Sequence, residues 1–150
     1  MTKQTASPPL SLYEKDETAW LELTARLVAH GRFGEIDRAA LVDYLTDMAK
    51  RDKREVTSRL SLLITHLLKW QHQPKDRSNS WRGTIVSQRQ ELEHLLDSGT
   101  LRKYADEVLS QSYGEAVEQA AAETGLPQET FPSECPYSLD GLLSKEFPAE

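Results

Sequence analysis

From Asp37 to Gln73 the chain runs without a proline or a glycine, and apolar residues recur along it at helical spacing. Pro74 must end such a run, because proline lacks the N–H that the next helical hydrogen bond requires. Asp37 is a suitable N-cap at the start. The apolar residues fall into two sets, Leu41, Leu45 and Met48 before the charged stretch Lys50–Glu55, and Val56, Leu60, Leu63, Ile64, Leu67, Leu68 and Trp70 after it. At about 100° per residue the second set spans an arc of roughly 160°, wide enough for contact with two neighbouring helices. The charged stretch leaves open a break near residues 49–53.

Shorter helices are predicted on either side. Ser11 and Glu14 have the S-x-x-E spacing of a capping box, and an amphipathic stretch follows as far as Gly31. Its buried stripe is expected to be Leu12, Ala19, Trp20, Leu23 and Leu27. After the turn at residues 75–80, Asn79 or Ser80 is expected to cap a helix from Trp81 to about Asp97, with Trp81, Ile85, Gln88, Leu92, Leu95 and Leu96 inward. A fourth helix is predicted from Thr100 to Thr124, with Leu101, Tyr104, Ala105, Val108, Leu109, Ala116 and Ala120 inward, stopped by Gly125 and kept from resuming by Pro127. Ser138 is expected to cap a last short helix over Leu139–Lys145. No stretch alternates as a half-buried strand would. The expected fold is therefore all-α: a bundle-like single domain over residues 11–150 with four principal helices, the second of them long. A short C-terminal helix and an irregular Pro-rich tail are expected to pack across it, and residues 1–10 read as a loose arm.

The chain has 150 residues, 38% of them apolar and 28% charged, which suits one ordinary core and excludes a disordered or collagen-like chain. No apolar run is long enough to span a bilayer, and the N-terminal stretch lacks the apolar core of a signal peptide. A lone cysteine, Cys135, fits a reducing compartment, so a cytoplasmic location is expected. The net charge of −6 hides a gradient: residues 1–49 carry 5 basic and 8 acidic side chains, residues 50–89 carry 10 and 3, and residues 90–150 carry 3 and 13. A basic middle between acidic flanks is either a surface for an anion or a set of helices neutralised by their neighbours.

Several short words recur together. They are His66-Leu67-Leu68-Lys69-Trp70-Gln71-x-Gln73-Pro74, then Arg77-Ser78-x-Ser80-Trp81-x-x-Thr84-Ile85-x-x-Gln88-Arg89. Tyr13-x-x-Asp16-x-x-Ala19-Trp20 stands before them, and Thr124-Gly125-Leu126-Pro127, Thr130-Phe131-Pro132 and Cys135-Pro136-Tyr137 follow. In this combination the sequence resembles a family of bacterial proteins catalogued as domain of unknown function 29, over about residues 12–147. The resemblance implies an all-helical domain and brings no catalytic or binding residues with it. The family often has a glycine within the region of Lys50–Glu55; its absence here favours a continuous helix.

No catalytic set is legible. Glu91 and His94 have the E-x-x-H spacing of a di-iron bundle, but no second pair accompanies them, so no metal and no cofactor is expected. Cys135 stands beside Glu134, whose charge would raise the thiol pKa, and no serine lies in a nucleophile elbow or glycine-rich phosphate loop. Two surfaces remain. Arg59, Leu62, His66, Trp70 and Gln73 form a second stripe about 100° from the main seam of the long helix, where Trp70 and His66 serve either the core or a contact surface. Lys69, Trp70, Lys75, Arg77, Trp81, Arg82 and Arg89 form a basic and aromatic cluster beside a helix N-terminus, which attracts anions. The candidate binding surface is accordingly Arg59, His66, Trp70, Gln73, Arg77, Trp81, Arg82 and Arg89. The expected role is a non-enzymatic interaction or adaptor module, with an unknown protein partner or through self-association. The alternative is anion or nucleic-acid binding through residues 50–89, and no membrane contact is expected. An enzyme would require a deep pocket lined by His66 with acidic neighbours.

Overall fold

The long helix forms as a single piece. The structure, a computed structural model, describes residues 9–146 and 148, so most of the predicted N-terminal arm lies outside the described residues. The elements are α1 (Leu12–Lys15), α2 (Glu17–Ala29), α3 (Arg38–His72), α4 (Asn79–Leu95), α5 (Gly99–Thr124) and α6 (Leu139–Leu143). Three 3-10 turns, Phe33–Glu35, Pro74–Asp76 and Gln128–Thr130, lie between them, and no strand occurs among the described residues. None of these helices is long and apolar enough to cross a membrane. The chain forms two compact units, Met1–Met48 and Ala49–Glu150.

In the first unit, Ser11 caps α1 by accepting from Glu14 N. The helix predicted from there to Gly31 is broken at Asp16, whose non-helical backbone ends α1 and whose carboxylate accepts from Ala19 N at 3.0 Å to start α2. An aspartate forms a better N-cap than helix interior, because its short side chain competes for nearby amides. The core of this unit is small. Trp20 sits between Tyr13 and Tyr44, with ring centroids 4.7 and 5.8 Å away, and Thr24, Leu27 and Ala40 are buried. Of the predicted stripe, Trp20 and Leu27 are buried while Leu12 and Leu23 are exposed. Asp37 caps α3 as expected, accepting from Ala40 N at 3.1 Å.

The second unit is built on residues 56–70 of α3. Val56, Leu60, Leu63, Ile64, Leu67 and Leu68 are wholly buried and Trp70 nearly so, as the seven-residue arc predicts. From α4 and its C-cap come Ile85, Leu92 and Leu96, and from α5 Ala105, Tyr113, Ala116 and Ala120. Small residues on α5 let the two backbones approach: Ser61 Oγ of α3 lies 3.4 Å from the carbonyl oxygen of Ser112. Ser112 and Tyr113, absent from the expected inward face, are both buried. Ser78, rather than Asn79 or Ser80, caps α4 by accepting from Trp81 N at 3.2 Å. Ser98 caps α5, which ends at Gly125 in the left-handed conformation, φ 74°. Gly125→Ala is expected to cost about 1 kcal/mol, read as a fall of roughly 2–4 °C in thermal denaturation.

The Pro-rich tail belongs to this core. Phe131, Leu139 and Leu142 are buried, and Phe131 meets the His72 ring edge-on at 4.9 Å. Tyr137 OH donates to Gln71 Oε1 at 3.0 Å, and Arg102 pairs with Asp140. Ser138 caps α6, as its place before the last helical stretch predicts.

Candidate functional site

The turn between α3 and α4 decides how the basic cluster is arranged. In an uninterrupted helix the carbonyl of Trp70 would accept from the N–H of residue 74, which is proline and has none. Arg77 supplies the missing donor: its Nε gives a hydrogen bond of 2.8 Å to Trp70 O. That bond folds the guanidinium back over the indole, with Cζ 4.9 Å from the ring centroid. One turn into α4, the Arg82 guanidinium lies 5.3 Å from the same centroid. Such contacts are favourable because the face of an indole is electronegative.

A cleft of about 490 Å³ is lined by Trp70, Arg77, Ser78, Asn79 and Arg82. The last three belong to the first turn of α4 and its cap, where amides lack intrahelical acceptors and the helix dipole is positive. A second cleft of about 340 Å³ shares Trp70 and Arg82 and adds Ile85, Val86, Arg89 and residues of the C-terminal segment. Arg89 is itself buried: its Nε donates to Leu142 O at 2.9 Å, and burial pushes its pKa down. Trp70 is 4% exposed, and its Nε1 has no acceptor among the described residues.

The eight predicted residues therefore divide. Trp70, Arg77, Arg82 and Arg89 converge on the two clefts. Arg59 instead joins Glu55 at 2.9 Å, Gln88 at 3.2 Å and Glu91 at 3.8 Å. His66 is half-buried and donates from Nδ1 to Leu62 O at 3.0 Å, within its own helix. Gln73 is half-buried, and its backbone N–H donates to Lys69 O at 2.9 Å. Trp81 lies under Lys69, whose Nζ is 4.6 Å from its ring and 3.6 Å from Glu123. The second stripe is thus no continuous surface, because Trp70 turns into the core. The basic middle is neutralised at Lys69 by acidic α5 and gathered around Trp70 at Arg77 and Arg82.

A wider groove of about 1150 Å³ runs between α5 and the tail, lined in part by Tyr113, Gly114, Val117 and Cys135. The Cys135 thiol is pushed up by burial, so burial, more than the neighbouring Glu134, keeps it a poor nucleophile. Among the described residues no three His, Cys, Asp or Glu side chains converge as metal ligands.

One surface escaped the sequence reading. Of the nine exposed large apolar side chains described, seven belong to the first unit: Leu10, Leu12, Leu23, Val28, Phe33, Val42 and Leu45. The other two are Leu62 and Val86. Beside them lies a negative patch, in which Tyr13 OH donates to Asp43 at 3.1 Å with Asp47 and Glu17 nearby. Partial burial, that hydrogen bond and the three carboxylates push the Tyr13 phenol up to about 12 from its ordinary 10.0. The folded state thus favours the neutral phenol, and the stabilisation it brings holds below pH 10.0 and is lost as pH rises through about 12. Burial raises Tyr113 and Tyr137 as well, so an ultraviolet titration of the tyrosines is expected to show several late ionisations, one of which Asp43→Asn moves toward 10.0.

Fold and clefts together define an all-helical domain with an arginine-lined cleft and an apolar N-terminal unit. The chain belongs to the family described as Domain of unknown function DUF29, whose profile matches residues 12–148. No curated protein and no solved structure matches it.

Proposed function

We propose that this protein is a non-enzymatic interaction module that associates with a second copy of itself through residues 9–54. The observation that carries this is the concentration of exposed apolar side chains in a unit whose own core is so small. Exposed apolar side chains gathered in one small unit favour association over a solvated surface. Charge favours a second copy as the occupant. Residues 1–49 carry a net charge of −3, with Glu17, Asp43 and Asp47 exposed, while the chain offers exposed Lys50, Arg51, Lys53 and Arg54 as their complement. The single, half-buried cysteine fits a reducing compartment, which supports a cytoplasmic location. Nucleic acid stands second: with Trp70 in the core and Trp81 half-buried beneath Lys69, bases have little aromatic surface on which to stack.

Light scattering on the eluting protein tests this. The expected mass is twice the 17.0 kDa of the monomer, falling to 17.0 kDa for Val42→Glu combined with Leu45→Glu. Those two side chains are exposed, so the variant keeps its fold by circular dichroism. A parent protein that remains at 17.0 kDa across a wide concentration range sinks the reading.

A further inference from the structure

We infer that the cleft between the end of α3 and the start of α4 is a binding site for a phosphoryl group, either free phosphate or the head of a small phosphate ester. The two charged side chains that line it are both arginines, beside the polar Ser78 and Asn79. Arg77 uses only Nε on Trp70 O and forms no ion pair among the described residues, which leaves four of its five N–H groups for a ligand. Its guanidinium and that of Arg82 flank one ring at 4.9 and 5.3 Å from the centroid, so the two cations lie within about 10 Å of each other. An anion that both guanidinium groups can reach offsets their mutual repulsion. Arg82 has donors enough to serve a ligand alongside its other contacts.

The first turn of α4 adds backbone amides and a positive dipole end, the arrangement that suits phosphate. Trp70 gives this cleft and the adjoining one a common wall. Its ring is 4% exposed, and its N–H, a group that can only donate, lacks an acceptor among the described residues. Since that N–H is sealed from solvent, the guanidinium groups and the α4 amides take the first contacts. A phosphoryl group, with several oxygens and up to two charges, answers two arginine forks better than a monovalent halide does. The adjoining cleft, with Ile85 and Val86 on its wall, gives room for the organic part of an ester. This site is confined to residues 49–150 and does not depend on self-association.

The experiment is a nitrogen–proton correlation spectrum of the full chain, titrated with sodium phosphate, with phenyl phosphate, and with sodium chloride at matched ionic strength. The expected result is saturable movement of the Trp70 indole signal and of the Asn79 and Ser80 amides with both phosphates and not with chloride. Phenyl phosphate is expected to bind at least threefold more tightly than phosphate if the ligand is an ester; equal affinities assign the site to free phosphate. Arg77→Gln with Arg82→Gln is expected to weaken binding at least tenfold. Should that pair disturb the fold, Arg82→Gln alone is expected to weaken it at least threefold. The absence of saturable movement, or unchanged affinity in a folded variant, overturns the assignment.

Discussion

Trp70→Ala is expected to destabilise the protein by about 3–5 kcal/mol, the usual range for emptying a buried aromatic site. The indole is 4% exposed at the end of the buried arc of α3, so its loss leaves a cavity that Ile85 and the ends of two arginines cannot close. In a chain of this length the midpoint of thermal unfolding should fall by roughly 10 °C. Trp81→Ala, at a half-buried ring beneath Lys69, should cost about 1 kcal/mol, in proportion to the smaller apolar area it returns to water. Trp70→Phe separates packing from hydrogen bonding. It removes a buried donor that has no acceptor among the described residues, and relief of that desolvation offsets part of the lost volume. Its cost is expected to stay below half that of the alanine. Equal losses for Trp70→Ala and Trp81→Ala would contradict the packing described above.

Leu142→Ala, in the five-residue α6, is expected to cost about 2–5 kcal/mol, as much as a leucine on a principal helix. A helix this short has no stability of its own. It is held because Leu139 and Leu142 are buried, because Ser138 caps it, and because Arg89 reaches from α4 to the carbonyl of Leu142. Chemical denaturation should show a lower midpoint with an unchanged slope, since the surface exposed on full unfolding is nearly the same. A loss below about 0.5 kcal/mol, typical of surface positions, would mean that the tail lies outside the cooperative core.

The elements that could be read from the sequence are those governed by the chain's own covalent limits. The run from Asp37 to Gln73 contains nothing that stops a helix, Pro74 cannot extend one, and Gly125 takes a backbone conformation that other residues resist. Apolar spacing after Lys50–Glu55 marks the seven buried apolar residues of α3 from Val56 onward, because an arc that wide has only one way to face a core. The first helix was harder. Periodicity carried on through Asp16 as though it were interior, and only the competition of its carboxylate for the Ala19 amide shows that one helix ends and another begins there. The cap of α4 falls one or two residues before the predicted Asn79 or Ser80 for a related reason, since Ser78, Asn79 and Ser80 are all chemically able to cap.

The candidate site was legible as a composition and not as a geometry. Arginines and tryptophans cluster in the sequence, but which of them meet depends on the turn after Pro74 and on the carbonyl it leaves without a donor. That turn brings Arg77 and Arg82 to Trp70 and puts Gln88 within reach of Arg59, whose other partner Glu55 lies one turn back on the same helix. The burial of Arg89 likewise depends on α6, more than fifty positions away. Sequence alone determined the helical class, the long helix and most of its stops, because these follow from backbone chemistry and a period of 3.6 residues. Tertiary structure alone decided which cations share a cleft and which apolar side chains of the first unit remain exposed. Those outcomes depend on what another segment covers, and no local pattern records it.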